Sequence, residues 1–259
     1  MHALLRLVVV YRGVLLYGES GAGKSSLINA GLIPAAEREG LRADRVRVQP
    51  RPGEELVVER LETTAAGDTL LPSSFADGSD GAHRIVLSAE AFRARLRELP
   101  AGVRPLLIFD QFEELATLFE DVAQGDGRAE TLAAQQRVVD LIVDLLRDET
   151  APVKLLLGFR EDYLAKVSRL LALRPELVDQ SLRLVPPATD ALHEIVRGPF
   201  EKYPGHFERE LSPELAERLR AAIESRSGAR GLSLSEVQIA CLRLWESSDP
   251  DKLFEEKGV

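Results

Sequence analysis

The chain has 259 residues, of which 45% are hydrophobic and 29% are charged, and its formal net charge at pH 7 is −9. This composition predicts one large α/β domain, alone or with a smaller lobe, and excludes wholesale disorder. The acidic balance argues against a basic face for nucleic acid, and no apolar run reaches the roughly 18 residues that a transmembrane helix requires. The single cysteine, Cys241, excludes an internal disulfide, so a cytoplasmic location is expected.

The first part of the sequence alternates strands with helices. Val14–Tyr17 is a short apolar run typical of a buried strand, and the pattern from Lys24 to about Ile33 is helical, with Pro34 predicted to stop or kink that helix. Arg45–Val48 alternate as in a half-exposed strand, and the arginines in and around it are interpreted as a solvated strand face. The stretch Pro72–His83 is rich in Ser, Gly and Asp, which predicts a loop.

The alternation continues as far as Pro187, beyond which only helical patterns occur. The strands predicted before Pro187 are Leu106–Phe109, Val153–Phe159 and Leu182–Leu184. The helices predicted there are Ala89–Leu99, Gln111–Leu118 and Gln135–Arg147. Helix starts are indicated by Ser88, by Ser212 with Pro213, and by Ser233 with Glu236. The change of pattern near residue 186 predicts two domains, 1–185 and 186–259.

The first motif that carries chemistry lies between the first strand and the helix after it. It matches G-x-x-x-x-G-K-[ST], the P-loop pattern, in which glycines let successive backbone N–H groups converge on phosphate oxygens. Lys24 is predicted to reach the β- and γ-phosphates, and the Ser25 hydroxyl to bind Mg²⁺. The predicted nucleotide-binding residues are Gly18, Glu19, Ser20, Gly21, Ala22, Gly23, Lys24, Ser25 and Ser26.

The second motif is an apolar strand that ends in an aspartate. In P-loop proteins such a strand is the Walker B element, so Asp110 is predicted to hold Mg²⁺ together with Ser25, while the same carboxylate could also cap the following helix. Glu113 and Glu114 follow, and either could orient or deprotonate an attacking water. The alternative is that both acids only favour the dipole of a helix that begins there.

The third motif is a strand that ends in Arg160. In a parallel sheet this places a guanidinium at the same edge as the P-loop, where it could sense or stabilise the charge of a γ-phosphate. The alternative is a surface salt bridge with Glu161 or Asp162.

Motifs that the sequence lacks narrow the choice of nucleotide. A GTPase reads guanine with an Asn/Thr-Lys-x-Asp motif, and none of the six lysines stands in that context. ATP or ADP is therefore the expected nucleotide. The four histidines do not have the spacing of metal ligands, so Mg²⁺ at Ser25 and Asp110 is the metal expected.

These motifs resemble, in the same order and across nearly the whole chain, those of the novel STAND NTPases, which are relatives of the NACHT and apoptotic ATPases. The AGLIP that follows the P-loop and the DQFEEL segment are the most specific. The matching segments are 15–34 (LLYGESGAGKSSLINAGLIP), 105–119 (PLLIFDQFEELATLF), 155–167 (LLLGFREDYLAKV), 182–201 (LRLVPPATDALHEIVRGPFE) and 234–246 (LSEVQIACLRLWE).

The resemblance implies a three-layer α/β/α P-loop core in which the strand that ends in Arg160 lies between the P-loop strand and the Walker B strand. It implies a small all-helical lobe that closes over the adenine. It also implies a nucleotide-controlled switch in signalling or defence that works with protein sensor and effector domains outside this segment. The residues that match are Lys24 and Ser25 (P-loop pair), Asp110 (Walker B acid), Glu113 and Glu114 (acidic pair) and Arg160 (first sensor position).

Two positions depart from the family pattern. Gln111 stands where hydrolytic relatives of the AAA type carry a glutamate, which implies slow turnover, and Ser233 stands near a proline that many members place beside the nucleotide. We therefore predict a slowly hydrolysing, ATP-binding switch module. The alternative is a scaffold that binds nucleotide without hydrolysis or works through protein contacts. A P-loop kinase is disfavoured, because no substrate-binding lid motif is apparent.

The resemblance further implies that the chain belongs to a larger protein. Almost no room is left before Tyr17 for the upstream helix of the family, and the family continues beyond the Trp245 helix with a winged-helix domain. The helix Val237–Trp245 is apolar around much of its circumference, so we expect residues 1–259 alone to self-associate and to exchange nucleotide faster than a longer chain.

Overall fold

A computed structural model describes residues 1–50, 55–60, 84–114, 128–150, 153–165, 167–203, 212–227 and 233–246. The chain divides into two compact units. The first comprises Met1–Gly18 and Lys24–Arg183, and the second comprises Glu19–Gly23 and Leu184–Val259. The boundary at residue 186 that the sequence predicts lies close to the point where this division falls.

The first unit is built on a sheet that has seven strands among the described residues. In sheet order these are β4 (Arg84–Ser88), β3 (Glu55–Arg60), β2 (Leu41–Pro50), β5 (Arg104–Phe109), β6 (Lys154–Arg160), β1 (Gly13–Gly18) and β7 (Ser181–Leu184). The strands β2, β5, β6 and β1 pair in parallel, and β3 and β4 extend the sheet in antiparallel fashion. The strand that ends in Arg160 therefore lies between the P-loop strand and the Walker B strand, which confirms the predicted order.

Helices cover both faces of this sheet, because its central strands are apolar on both sides. On one face α4 (Ala89–Arg97) and α5 (Arg128–Arg147) bury a cluster that includes Phe92, Ile142 and Leu157. On the other face α1 (His2–Val10) packs against β1 and β6, and α3 (Ile33–Arg38) against β2. A short helix, α6 (Ser168–Leu173), precedes β7. The fold is the predicted three-layer α/β/α arrangement.

The helix α1 corrects the expectation that almost no room exists for a helix before β1. Leu4 and Val8, one turn apart, are 0% and 1% exposed, so the apolar residues at the start of the sequence form a packed helix. Lys154 fixes its end, because the Lys154 ammonium donates hydrogen bonds of 2.9 Å to the carbonyl oxygens of Val9 and Tyr11.

The helix after the P-loop passes through Pro34, where the sequence predicts a stop or a kink. It begins as α2 (Lys24–Ser26), widens into a π-helical segment at Leu27–Leu32, and continues as α3. In the π segment the Ile33 N–H donates to Ile28, five residues back. Pro34 then stands in the first turn of α3, where the missing N–H of a proline is tolerated.

Two strands were not predicted, and two sequence-based predictions differ from the structure or lie outside the described residues. The strands β3 and β4 were not predicted, since each is short and is stabilised by pairing with another strand, β3 with β2 and β4 with β3. Residues 111–113 form a turn where a helix is predicted, and the rest of that predicted helix, 115–118, lies outside the described residues. The predicted loop at 72–83 also lies outside them.

The part of the second unit that follows β7 has helices, and no strand, among its described residues. Its helices are α7 (Leu192–Lys202), α8 (Pro213–Ser227) and α9 (Leu234–Glu246). The predicted caps are present: the Ser212 hydroxyl accepts a hydrogen bond from the Leu215 N–H at 3.2 Å, and the Ser233 hydroxyl accepts one from the Glu236 N–H at 3.4 Å. The three helices share a small core of Leu192, Val196, Leu219, Ile223, Val237 and Ala240.

None of the helices in the described ranges is long and apolar enough to cross a membrane.

Candidate functional site

Three of the predicted motifs meet at one edge of the sheet. The parallel strands β1, β6 and β5 run side by side, with Gly18 in register with Arg160 and Phe109 in register with Leu157. Asp110 follows β5 directly and Lys24 begins the helix after β1. Because carboxyl ends of parallel strands share an edge, the P-loop strand, the Walker B aspartate and Arg160 lie together there.

Lys24 and Ser25 are held at this edge by polar contacts. The Lys24 ammonium donates a hydrogen bond of 2.9 Å to the Gly18 carbonyl, and the Ser25 hydroxyl donates one of 3.0 Å to Asp110 Oδ2. Burial lowers the pKa of Lys24, and the negative charges of Glu113 and Asp110 oppose that shift. The ammonium therefore lies in the electrostatic field of both acids.

The glycine-rich turn between β1 and α2 adopts a backbone that only glycine accommodates easily. Gly21 and Gly23 have φ angles of +77° and +90°, in the left-handed region. The Ala22 N–H donates to the Glu19 carbonyl at 3.3 Å, which closes the turn. The side chains of Glu19, Ser20 and Ser26 are exposed. The turn itself belongs to the second unit, within which a methyl group on Gly21 would lie 3.1 Å from Ser235 Oγ.

Asp110 is one of two buried carboxylates among the described residues, with a relative exposure of 2%. Its Oδ1 accepts the Gln111 N–H at 3.0 Å. Its Oδ2 accepts the Ser25 hydroxyl, and also the Arg45 Nε–H at 2.9 Å and an ion pair with Arg45 Nη2. A hydroxyl and a carboxylate oxygen side by side are the hard oxygen donors that Mg²⁺ prefers, so these residues fit the metal that the family implies.

The segment after Asp110 turns sharply, and a strained residue stands at the turn. Gln111 has a φ of 57°, the one positive value at a residue other than glycine in the described part of the chain. Such a conformation costs about 1–2 kcal/mol and is found at functional sites. The Phe112 N–H donates to the Gly158 carbonyl at 2.9 Å, which ties the turn to β6.

Glu113 and Glu114, which the sequence leaves equivalent, have different surroundings. The Glu113 carboxyl is half-buried near Lys24, and its Oε2 has no hydrogen-bond partner among the described residues. Burial raises the pKa of Glu113, opposed by backbone hydrogen bonds, including one from Arg160, and by the charge of Lys24. The Glu114 carboxylate instead forms an ion pair of 3.1 Å with Arg47. The structure thus directs Glu113, and not Glu114, toward the P-loop lysine.

Arg160 lies at the predicted edge, but its guanidinium contacts a neighbouring acid. Its Nε and Nη2 donate to the two carboxylate oxygens of Asp162 at 3.1 Å and 2.6 Å, and it lies 5.4 Å from the centre of the Tyr163 ring. This is the salt bridge that the sequence offers as the alternative role. The charge of Arg160 still reaches Lys24, since it contributes to the lowered pKa of that lysine.

Sequence reasoning missed two arginines that contact the predicted site residues. The interpretation of Arg45 and Arg47 as a solvated strand face is wrong: they lie on one face of β2, which extends past the end of β5. Arg45 binds Asp110, and Arg47 contacts the side chains of Gln111 and Glu114. The available signal was their two-residue spacing in a strand that directly follows the P-loop helix, which places both beside the Walker B strand.

Comparison with known proteins gives one matching family and several structures of similar fold. A family model described as Novel STAND NTPase 1 matches residues 1–257. A chain of the E. coli MS115-1 HORMA:CdnC:Trip13 complex is similar over 96% of this chain and 78% of its own, with a TM-score of 0.51 and 15% identity. The ADP form of the Aeropyrum pernix ORC2 protein is similar over 98% of this chain and 67% of its own, with a TM-score of 0.51 and 18% identity. No curated protein matches the sequence significantly.

Proposed function

Because the chain belongs to the novel STAND NTPase 1 family, we propose that it binds ATP with Mg²⁺ and hydrolyses it slowly, as a switch that couples its nucleotide state to protein partners. The single observation that carries the proposal is the contact of Ser25 with Asp110 beside Lys24 at the carboxyl edge of the sheet. A lysine, a hydroxyl and a buried carboxylate in this arrangement match what a nucleoside triphosphate and its metal require.

In the proposed mechanism Lys24 exchanges its hydrogen bond with the Gly18 carbonyl for one with phosphate oxygens. Ser25 and Asp110 would hold Mg²⁺, which when bound neutralises charge on the β- and γ-phosphates. The glycine turn supplies backbone N–H groups to the phosphate chain. The half-buried Lys24 favours a charged ligand over bulk water, because its own hydration is already incomplete.

Glu113 is the residue we propose as the base or water-positioning group. Its Oε2 has the free capacity to accept a proton or a hydrogen bond, and its raised pKa makes it a stronger base than an exposed glutamate. Gln111, at the position where AAA-type relatives carry a glutamate, cannot accept a proton, which is consistent with slow turnover. Arg160 would assist only after leaving Asp162, and its proposed role is to respond to the charge of the γ-phosphate.

The proposed output of the switch is a change in how the two units and outside partners associate. ATP would favour one arrangement and ADP another, and exchange or hydrolysis would reset the equilibrium. The partners that we propose are protein sensor and effector domains. We also propose that the chain self-associates in a nucleotide-dependent way and that it acts in the cytoplasm. Ile239 and Leu242, three residues apart on α9, are each 53% exposed and supply apolar surface for such contacts.

One pair of variants separates hydrolysis from binding. Glu113→Gln is expected to bind ATP as the wild type does and to lose hydrolysis by about 10²-fold or more, since a positioned base contributes that much. Glu114→Gln, the matched control on the adjacent residue, is expected to keep most of its activity. The measurements are calorimetric ATP binding and phosphate release. Equal phosphate release by the wild type and by Glu113→Gln would remove Glu113 from the mechanism.

The second candidate function is a scaffold that binds nucleotide without hydrolysis. The observation that favours it is the pairing of Arg160 with Asp162, which keeps the sensor arginine occupied. This candidate predicts ATP and ADP binding with no phosphate release above background under any condition in which the wild type remains folded.

A further inference from the structure

Arg45 binds the same carboxylate oxygen that the proposed metal site uses. Its Nε–H donates to Asp110 Oδ2 at 2.9 Å, its Nη2 forms an ion pair with that atom, and the Ser25 hydroxyl lies 3.0 Å from it. The Arg45 side chain is 13% exposed and that of Asp110 is 2% exposed. The charge of the Walker B carboxylate is therefore already balanced, away from bulk water, by a cation of the chain itself.

Arg45 is fixed in this position by its neighbours. Its Nη1 lies 3.3 Å from Asn29 Oδ1, in the π-helical segment after the P-loop. Its strand is in register with β5, with Arg45 opposite Ile108, and the Asp110 N–H donates to the Val46 carbonyl at 3.1 Å. The guanidinium thus reaches Asp110 from a strand paired directly with the Walker B segment, and not from a mobile loop.

We propose that Arg45 competes with Mg²⁺ for Asp110. Arg45 thereby sets the Mg²⁺ concentration that is needed to strengthen ATP binding. This inference rests on the proposed binding of Mg²⁺ and ATP. A guanidinium and a divalent cation that approach one carboxylate oxygen repel each other, so each weakens the hold of the other. Arg45 also keeps the buried carboxylate compensated whenever the metal leaves, which allows nucleotide exchange without an isolated buried charge.

The test is a calorimetric titration of ATP at a series of Mg²⁺ concentrations, from chelated to millimolar. It compares the wild type with Arg45→Gln and Arg45→Lys. The matched control is Arg104→Gln, which removes the same charge at the opposite end of β5, where the exposed Arg104 donates a hydrogen bond of 3.0 Å to the Glu39 carbonyl. The quantity compared is the Mg²⁺ concentration at which half of the metal-dependent gain in ATP affinity is reached.

We expect Arg45→Gln to lower this half-point by about tenfold, the effect of losing one charge-assisted contact. Arg45→Lys keeps the charge but loses the forked geometry, so a smaller decrease is expected. Arg104→Gln is expected to keep the wild-type value. An unchanged or higher half-point in Arg45→Gln would overturn the proposal. If Arg45→Gln does not fold, the half-point of Arg45→Lys is the test: a decrease supports the proposal, and an unchanged or higher value overturns it. A wild type that binds no ATP at any Mg²⁺ concentration would instead refute the proposed function.

Discussion

The half-buried carboxyl group of Glu113 has opposite effects on stability and on chemistry. Burial raises its pKa, which means that the folded state disfavours the ionised form. The free energy of unfolding is therefore expected to fall as the pH rises from the ordinary glutamate value through the raised value. Hydrolysis, which needs the ionised base, is expected to rise over the same interval.

Glu113→Gln tests both effects, because the amide has the same shape and does not titrate. Its Tm at neutral pH is expected to equal or exceed that of the wild type, and its stability is expected to lack the decline just described. Thermal unfolding between pH 4 and pH 8 measures this. A variant with the same pH profile as the wild type would show that Glu113 has no shifted pKa. Glu114→Gln, the same change at the neighbouring residue, is the control and is expected to retain the decline that is due to Glu113.

At the residue scale, the sequence indicates which residues form the candidate site better than it indicates how their side chains are arranged. Lys24, Ser25 and Asp110 were predicted to lie together because the P-loop and Walker B patterns specify these residue types and their place after a strand. The difference between Glu113 and Glu114 could not be predicted, since it depends on the positive φ of Gln111 and on Arg47, which belongs to another strand. The pairing of Arg160 with Asp162 was one of two open alternatives.

Among the elements, β6 leaves space for the Walker B aspartate, because Gly158 in that strand has no side chain. A Cβ atom on Gly158 would lie 3.4 Å from Asp110 Oδ1, 3.6 Å from Ile28 Cδ1 and 3.7 Å from the Phe109 carbonyl oxygen. Alanine is therefore expected to fit with little cost. Valine would extend further toward the carboxylate and the backbone, which is overpacking in the interior of the sheet.

We predict that Gly158→Val lowers the free energy of unfolding by about 1–3 kcal/mol and weakens Mg²⁺-dependent ATP binding, because Asp110 must move. Gly158→Ala, the matched control, is expected to keep both properties near their wild-type values. Urea unfolding and calorimetry measure the two effects. A Gly158→Val variant with wild-type stability and affinity would show that the close approach at this position has no role in placing Asp110.

The elements that the sequence predicted well are those with a strong local pattern. The buried strands β1, β5 and β6 are continuous apolar runs, and α4 has a serine cap whose hydroxyl accepts the Ala91 N–H at 3.1 Å. The strands β3 and β4 have apolar runs of only three residues, 56–58 and 85–87, and depend on partners in the sheet. The helix from Lys24 to about Ile33 was predicted, but its continuation past Pro34 and its π-helical segment were not, because a π-helical segment has no propensity signal in a single sequence.

For the whole molecule, the family match over residues 1–257 and the α/β/α architecture of the first unit agree on a P-loop NTPase. The sequence predicts a domain boundary near residue 186, since the pattern changes there from alternating strands and helices to helices alone. The assignment of the glycine turn to the second unit could not, because a P-loop is read as part of the strand and helix that flank it.

The central claim is that the chain binds ATP through Lys24. The most direct measurement is calorimetric titration of ATP with Mg²⁺ into the wild type, into Lys24→Ala, and into Lys202→Ala as a control at an exposed lysine of α7. Loss of a charge-assisted contact with phosphate is expected to weaken the affinity of Lys24→Ala by about tenfold or more, while Lys202→Ala binds as the wild type does. Equal affinities of the folded wild type and Lys24→Ala for ATP would contradict the account.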